Sequence, residues 1–261
     1  MKQIRTLALM LLALSWLGTA KAAPQHGRPR LVVTMMVDQM TWDYLYRYQA
    51  RFSEGGFKRL LTQGFNCENT RINYIPSVTA IGHSSVHTGS VPAIHGIAGN
   101  DFEKDGKPIY CTEDTSVSTV GAPNGKSGQM SPRNLLTTTI ADELRIATNF
   151  RSKTIGVAIK DRASILPAGH TTNGAYWLDD KTGHFITSTY YMQDLPQWVK
   201  DFNARGRVAE LLMQGWAPLY PLSTYKESTA DDVRYEQPWG KNGEHPAMLP
   251  LNTAELMKEQ G

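Results

Sequence analysis

Seven residues constrain the fold most: Leu31-Val32-Val33-Thr34-Met35-Met36-Val37, an apolar run interrupted only by Thr34 and closed by Asp38. Such a run reads as a strand buried on both faces, the central strand of a parallel sheet. Lys153 to Ile159 reads as a second buried strand. Helical stretches alternate with these runs: Trp42 to Phe52, Gly56 to Thr62, Val78 to His87 and Asn134 to Thr148. In the last of these, Leu135, Leu136, Ile140, Leu144 and Ala147 lie on one face. Strands alternating with helices predict an α/β fold with a largely parallel sheet. Further on, Ala175 to Leu178 and His184 to Thr189 predict a hairpin around the turn 179–183. Leu195 to Gln214 predicts a helix weakened at Gly206, and a last helix starts near Asn252. The stretch from Asn100 to Met130 reads mostly as loop.

The N-terminus has a separate character. Lys2 and Arg5 precede Thr6 to Ala20, fifteen residues without a charge. That is short for a bilayer span and right for a signal sequence, with Ala20-Lys21-Ala22 as the cleavage element. Residues 1–22 are therefore expected to be a signal peptide and 23–261 the mature portion, periplasmic or secreted and without a stable membrane anchor. The leader holds three of the 27 basic residues and none of the 24 acids, so the remainder is electrically balanced. That balance removes the electrostatic argument for a nucleic-acid partner. With 41% hydrophobic and 20% charged residues, the chain is not a disordered or low-complexity type. Export also makes a Cys67–Cys111 disulfide plausible, closing a loop of about 45 residues worth roughly 3–4 kcal/mol on the chain-entropy model; two free thiols are the alternative.

Three local features suggest chemistry. Asp38 stands at the carboxyl end of a buried strand, where α/β folds bind ligands, although such an acid can also cap a helix. Pro76-Ser77-Val78-Thr79 places hydroxyls at a helix start, which suits an oxyanion; the same residues are ordinary caps. Lys160-Asp161-Arg162 follows the second strand. If that strand continues, both cations point to one side and can clamp a dianion.

Taken in order, the segments 37–40, 55–61, 65–70, 76–83, 88–97, Gly99-Asn100 and 160–162 resemble the alkaline phosphatase superfamily. The nearest likeness is to the monomeric, phosphate-irrepressible bacterial alkaline phosphatases that use a threonine nucleophile. The likeness runs from about Leu31 through Trp216-Ala217-Pro218-Leu219-Tyr220. It implies a three-layer α/β/α fold with a mostly parallel central sheet, incomplete in this chain. It implies a zinc-dependent hydrolase of phosphate monoesters that is a monomer when complete. Thr79 would be the nucleophile and a zinc ligand, forming a phosphothreonine intermediate. Asp38 would be a zinc ligand, and Asn100, Lys160 and Arg162 would bind phosphoryl oxygens. A metal lowers the pKa of a bound hydroxyl, and fixed donors stabilise charge as it shifts in the phosphoryl group.

The family's two-zinc site needs an Asp-x-x-x-His element, an Asp-His pair and a later His. No Asp-His pair occurs here. Asp180 to His184 fits the first pattern but reads as a hairpin turn. The sequence thus looks like the N-terminal half of such an enzyme. His83 and His87 have zinc-pair spacing but read as packing residues. Gly121 to Ser127 imitates a phosphate-binding loop, but Val120 stands where the first glycine belongs. Sulfatases are excluded because neither cysteine has their nucleophile motif. Phosphodiesterases and nucleotide pyrophosphatases share the Asp and Thr, typically without Lys-x-Arg, and are the enzymatic alternative. A truncated, non-catalytic phosphate-binding protein is the alternative from another class.

Overall fold

The computed structural model describes residues 29–123, 125–240 and 242–260 of the 261-residue chain. The expected signal segment 1–22 lies outside the described residues. The chain divides into two units, Met1–Val37 and Asp38–Gly261. In the first, residues 31–37 form no regular element, and Leu31, Val32, Val33 and Met35 are exposed. The expected buried strand is therefore not found there. An apolar run becomes a central strand only when neighbouring strands satisfy both of its edges.

Among the described residues of the second unit, five α-helices precede the parallel strand pair. They are α1 (Asp43–Arg47), α2 (Gly56–Gln63), α3 (Thr79–Thr88), α4 (Pro92–His95) and α5 (Ile140–Ala147). After them come α6 (Asp161–Ala168), α7 (Gln197–Asn203), α8 (Arg207–Met213) and α9 (Thr253–Gln260). The strands are β1 (Asp101–Lys104), β2 (Lys107–Tyr110), β3 (Thr119–Val120), β4 (Ile155–Ala158), β5 (Gly174–Leu178) and β6 (Phe185–Ser188). β1 and β2 pair antiparallel as a hairpin. The larger sheet has the order β3-β6-β5-β4. Only β4–β5 is parallel; β5–β6 and β3–β6 are antiparallel. The α/β class is thus as expected, but among the described residues the sheet is small and mixed rather than mostly parallel. The 179–183 turn forces the strands it joins to run in opposite directions.

Among the described residues β5 and its neighbour β6 are buried on both faces. Ala175 and Trp177 pack with Ile165 and Ala168 of α6 and Ile186 of β6. Tyr176 points to the other side, against Val120, Leu195 and Val199. β4 differs. Gly156 faces α6 so closely that a Cβ there would stand 2.5 Å from the Ser164 carbonyl oxygen. Its neighbours Ile155 and Val157 point the other way and are 53% and 58% exposed. The expected doubly buried strand at 153–159 is therefore covered on one face only.

The helix expected over Asn134 to Thr148 starts later. Thr139 and Asp142 form a reciprocal capping box that fixes the first turn of α5. Residues before it are held otherwise: Leu135 is in the core, and the Leu136 amide bonds the His95 carbonyl. The residue that α5 buries is Asp142, while Ile140 and Leu144 remain exposed. The 185–188 hairpin strand, the break at Gly206 and the last helix at Thr253 agree with the sequence reading. Among the described residues no helix is long and apolar enough to cross a membrane.

Candidate active site

Thr79 opens α3, preceded by extended Val78. It does not act as a side-chain cap. Its Oγ1 instead donates to Asp38 Oδ2 at 3.0 Å, across 41 positions of sequence. The second carboxylate oxygen of Asp38 accepts from the Gln39 amide at 2.9 Å. Asp38 is exposed and Thr79 half-buried, so this pair faces solvent. The next residue, Ala80, donates its backbone N–H to Asn100 Oδ1 at 3.0 Å. That bond satisfies one of the amides a helix start leaves open. It also turns the Asn100 side chain so that its NH2 edge remains as a donor.

Asn100 leads into the β1–β2 hairpin. Its carbonyl accepts from the Cys111 amide at 2.8 Å. Ala80, Cys111 and Leu166 of α6 share one buried cluster, with Tyr110 packed against it. The core thus connects the start of α3, the hairpin end and α6.

Lys160 and Arg162 do not extend a strand as expected. β4 ends at Ala158, Lys160 precedes the first turn of α6, and Arg162 lies within that turn. Arg162 Nη1 donates to the Tyr110 hydroxyl at 2.8 Å. Lys160 Nζ pairs with Asp180 Oδ2 at 3.2 Å. Contacts therefore run from Asp38 through Thr79, Ala80, Asn100 and the hairpin to Arg162, whereas Lys160 turns to the β5–β6 hairpin. Tyr110 was not singled out in the sequence. Its signal was available in Asp105-Gly106, both at positive φ, the dipeptide of a tight hairpin turn.

The donors fall short of a catalytic zinc site. Asp38 and Thr79 offer two groups, and among the described residues no three His, Cys, Asp or Glu side chains gather around one point. Catalytic zinc typically takes three protein ligands. His83 and His87 are structural: each Nδ1 bonds the carbonyl four residues earlier, of Thr79 and His83 respectively, at 2.9 Å. Asp180 does sit in a hairpin turn, as expected, where Asp179 accepts from Thr182. The Cys67–Cys111 disulfide is absent. Cys67 is exposed, while Cys111 is fully buried in the core with its thiol pushed up by burial to about 12.

A second polar centre forms around the fully buried Asp142. Asp142 accepts from the amides of Thr139, His170 and Thr171 at 3.0, 3.1 and 2.7 Å, and from the Thr171 hydroxyl at 2.8 Å. Burial alone would raise its carboxyl, but these bonds and His170 outweigh it and hold it well below the usual carboxylate range. The bond to Asp142 in turn raises His170. Gly169 makes this approach possible: at φ +77 it brings its backbone where a Cβ would strike the carboxylate.

Comparison with known proteins gives a consistent lineage. The family model for type I phosphodiesterase / nucleotide pyrophosphatase matches residues 32–255. Alkaline phosphatase PhoV of Synechococcus elongatus is 60% identical over 213 residues, 81% of this chain and 38% of that protein. A protein named calcium-transporting ATPase from Myroides odoratus is 59% identical over 242 residues, 92% of this chain and 44% of that protein. The crystal structure of PafA, an alkaline phosphatase of Elizabethkingia meningoseptica, superposes with a TM-score of 0.84 at 53% identity, covering 89% of this chain and 44% of PafA. A PafA variant substituted at one threonine, one asparagine, one lysine and one arginine superposes with a TM-score of 0.80 at 51% identity, covering 85% of this chain and 43% of that one. The chain spans less than half the length of these relatives. It belongs to the type I phosphodiesterase / nucleotide pyrophosphatase family, within the alkaline phosphatase superfamily, and is homologous to the alkaline phosphatases PafA and PhoV.

Proposed function

We propose that the whole protein is an exported, zinc-dependent phosphomonoesterase acting through a phosphothreonine at Thr79. The observation that carries this reading is the Thr79 hydroxyl, set at the first position of α3 and bonded to Asp38 rather than to its own helix. The helix start offers a positive dipole end to an anionic phosphoryl group. Asp38 orients the hydroxyl and accepts its hydrogen bond, which favours the oxygen as nucleophile. Asn100, held by the Ala80 amide, presents its NH2 to a phosphoryl oxygen. Arg162 supplies a fixed planar donor, and Lys160 a second positive charge once it leaves Asp180. The residues PafA has altered in its variant are of the same four types, Thr, Asn, Lys and Arg.

Zinc belongs to this proposal as a cofactor of the whole protein. Asp38 and Thr79 supply two donors, and a catalytic zinc would need at least one more. The substrate class is a small phosphate monoester, and the site is expected to work as a monomer. The family model's description keeps a phosphodiesterase reading in play. The test is turnover of a monoester against a diester by the complete gene product, with and without Thr79→Ala. Monoester preference, lost by about three orders of magnitude in Thr79→Ala, supports the proposal. Diester preference would move the protein to the other activity, and normal turnover by Thr79→Ala would remove Thr79 from the chemistry.

A further inference from the structure

Arg162 does not stand alone on α6. Its Nη1 donates to the Tyr110 hydroxyl, and its guanidinium carbon lies 5.9 Å from the centre of the Tyr110 ring. The same hydroxyl donates to Asp161 Oδ1 at 2.9 Å. The other oxygen of Asp161 accepts from the buried Thr112 hydroxyl. A neutral phenol has one proton. Because Asp161 takes that proton, the lone pairs of the phenol oxygen are left for Arg162. Burial, then the Asp161 charge, raises the Tyr110 phenol and keeps it protonated, so this polarity is stable over the ordinary pH range. Arg162 Nε is buried and has no hydrogen-bond partner. The guanidinium is therefore held through Nη1 and lies near the ring face, with no hydrogen bond from Nε fixing its plane.

We propose that Tyr110 is a positioning residue for Arg162: its hydroxyl, oriented by Asp161 and Thr112, fixes the plane in which the guanidinium meets a phosphoryl group. This rests on the reading of Arg162 as a phosphoryl-binding residue. Small misplacements of a group that binds the reacting phosphoryl cost much of its effect, and a bidentate guanidinium contact depends on orientation. The rival role is purely structural, a pin that ties the β2 end of the hairpin to α6.

A double-mutant cycle in the complete gene product separates the two. Tyr110→Phe keeps the ring in the core and removes only the hydroxyl. It should lower kcat/KM for a phosphate monoester about ten-fold and weaken inhibition by inorganic phosphate in parallel. On an Arg162→Ala background the same change should cost nothing further. Equal losses in both backgrounds, or no loss in either, would overturn the proposal. If Arg162→Ala alone left monoester turnover unchanged, the phosphoryl-binding reading of Arg162 would fall first, and that result is distinct. Should Tyr110→Phe not fold, Asp161→Ala, which removes the acceptor of the phenol proton, should show the same dependence on Arg162; independence would count against it.

Discussion

The molecule uses a threonine and an aspartate at a helix start twice, to opposite ends. At α5, Thr139 and Asp142 are three residues apart, form a capping box and are buried. At α3, Thr79 meets Asp38 from 41 residues away, does not cap its own helix and stays partly open to solvent. In the first pair every polar atom is consumed by the fold, so it stabilises. In the second the hydroxyl is aimed but not enclosed, which is the basis for proposing it as the reacting group. Residue type does not distinguish the two; separation in sequence and exposure do.

Four expected outcomes sharpen or break that contrast. The largest is Thr79→Ala, which should remove about three orders of magnitude of turnover while leaving the melting temperature unchanged; a large drop in melting temperature would make Thr79 a structural residue like Thr139. Next, Asp142→Ala should destabilise the protein by about 3 kcal/mol, since it strands buried donors of Thr139, His170 and Thr171. Denaturant unfolding measures it, and a loss below about 0.5 kcal/mol would show the cluster is not what holds α5. Third, Thr139→Ala should cost about 1 kcal/mol, the usual worth of a helix cap, with kcat unaffected.

The smallest effect is on pH dependence. His170 is raised above 6.5, so its contribution is fully present below that value and is lost as pH rises through the raised pKa. Asp142 is depressed, so its contribution is present above 3.8 and is lost as pH falls through the lowered pKa. The cluster thus stabilises most between those limits. The His170 ring reaches Asp142 only at 3.5 Å, which keeps its part small. Melting curves across neutral pH should show a decline in the native protein that His170→Gln lacks; identical slopes would assign the decline to another group.

What could be read in the sequence was what short-range chemistry decides. The 179–183 turn, the break at Gly206 and the histidines bonding backward along α3 all follow from neighbours a few residues away. The reading failed where cover comes from elsewhere. Ile155 and Val157 are as apolar as a central strand requires, yet β4 is covered on one face, whereas β5 and β6 have layers on both. The Leu31–Val37 run has the same composition problem. The start of α5 was misplaced although Thr139-x-x-Asp142 was legible as a cap. An oxidising compartment permits a disulfide, but the burial of Cys111 and the exposure of Cys67 keep the two thiols unpaired in the structure. At the site, Thr79 bonds Asp38, and Asn100 bonds the amide of the following residue, Ala80; both contacts span long stretches of sequence and are not legible from local pattern. Tyr110 carried no family signal, and only the fold brings it to Arg162.

Thr79 is proposed to differ chemically from Thr139. The direct measurement is acid-quenched mass spectrometry of the complete gene product during turnover of a phosphate monoester. The expected result is a phosphoryl group on the peptide containing Thr79, and none on that containing Thr139. Turnover with an unmodified Thr79 peptide under conditions that trap an acid-stable phosphothreonine, or a phosphoryl group on another residue, would contradict it.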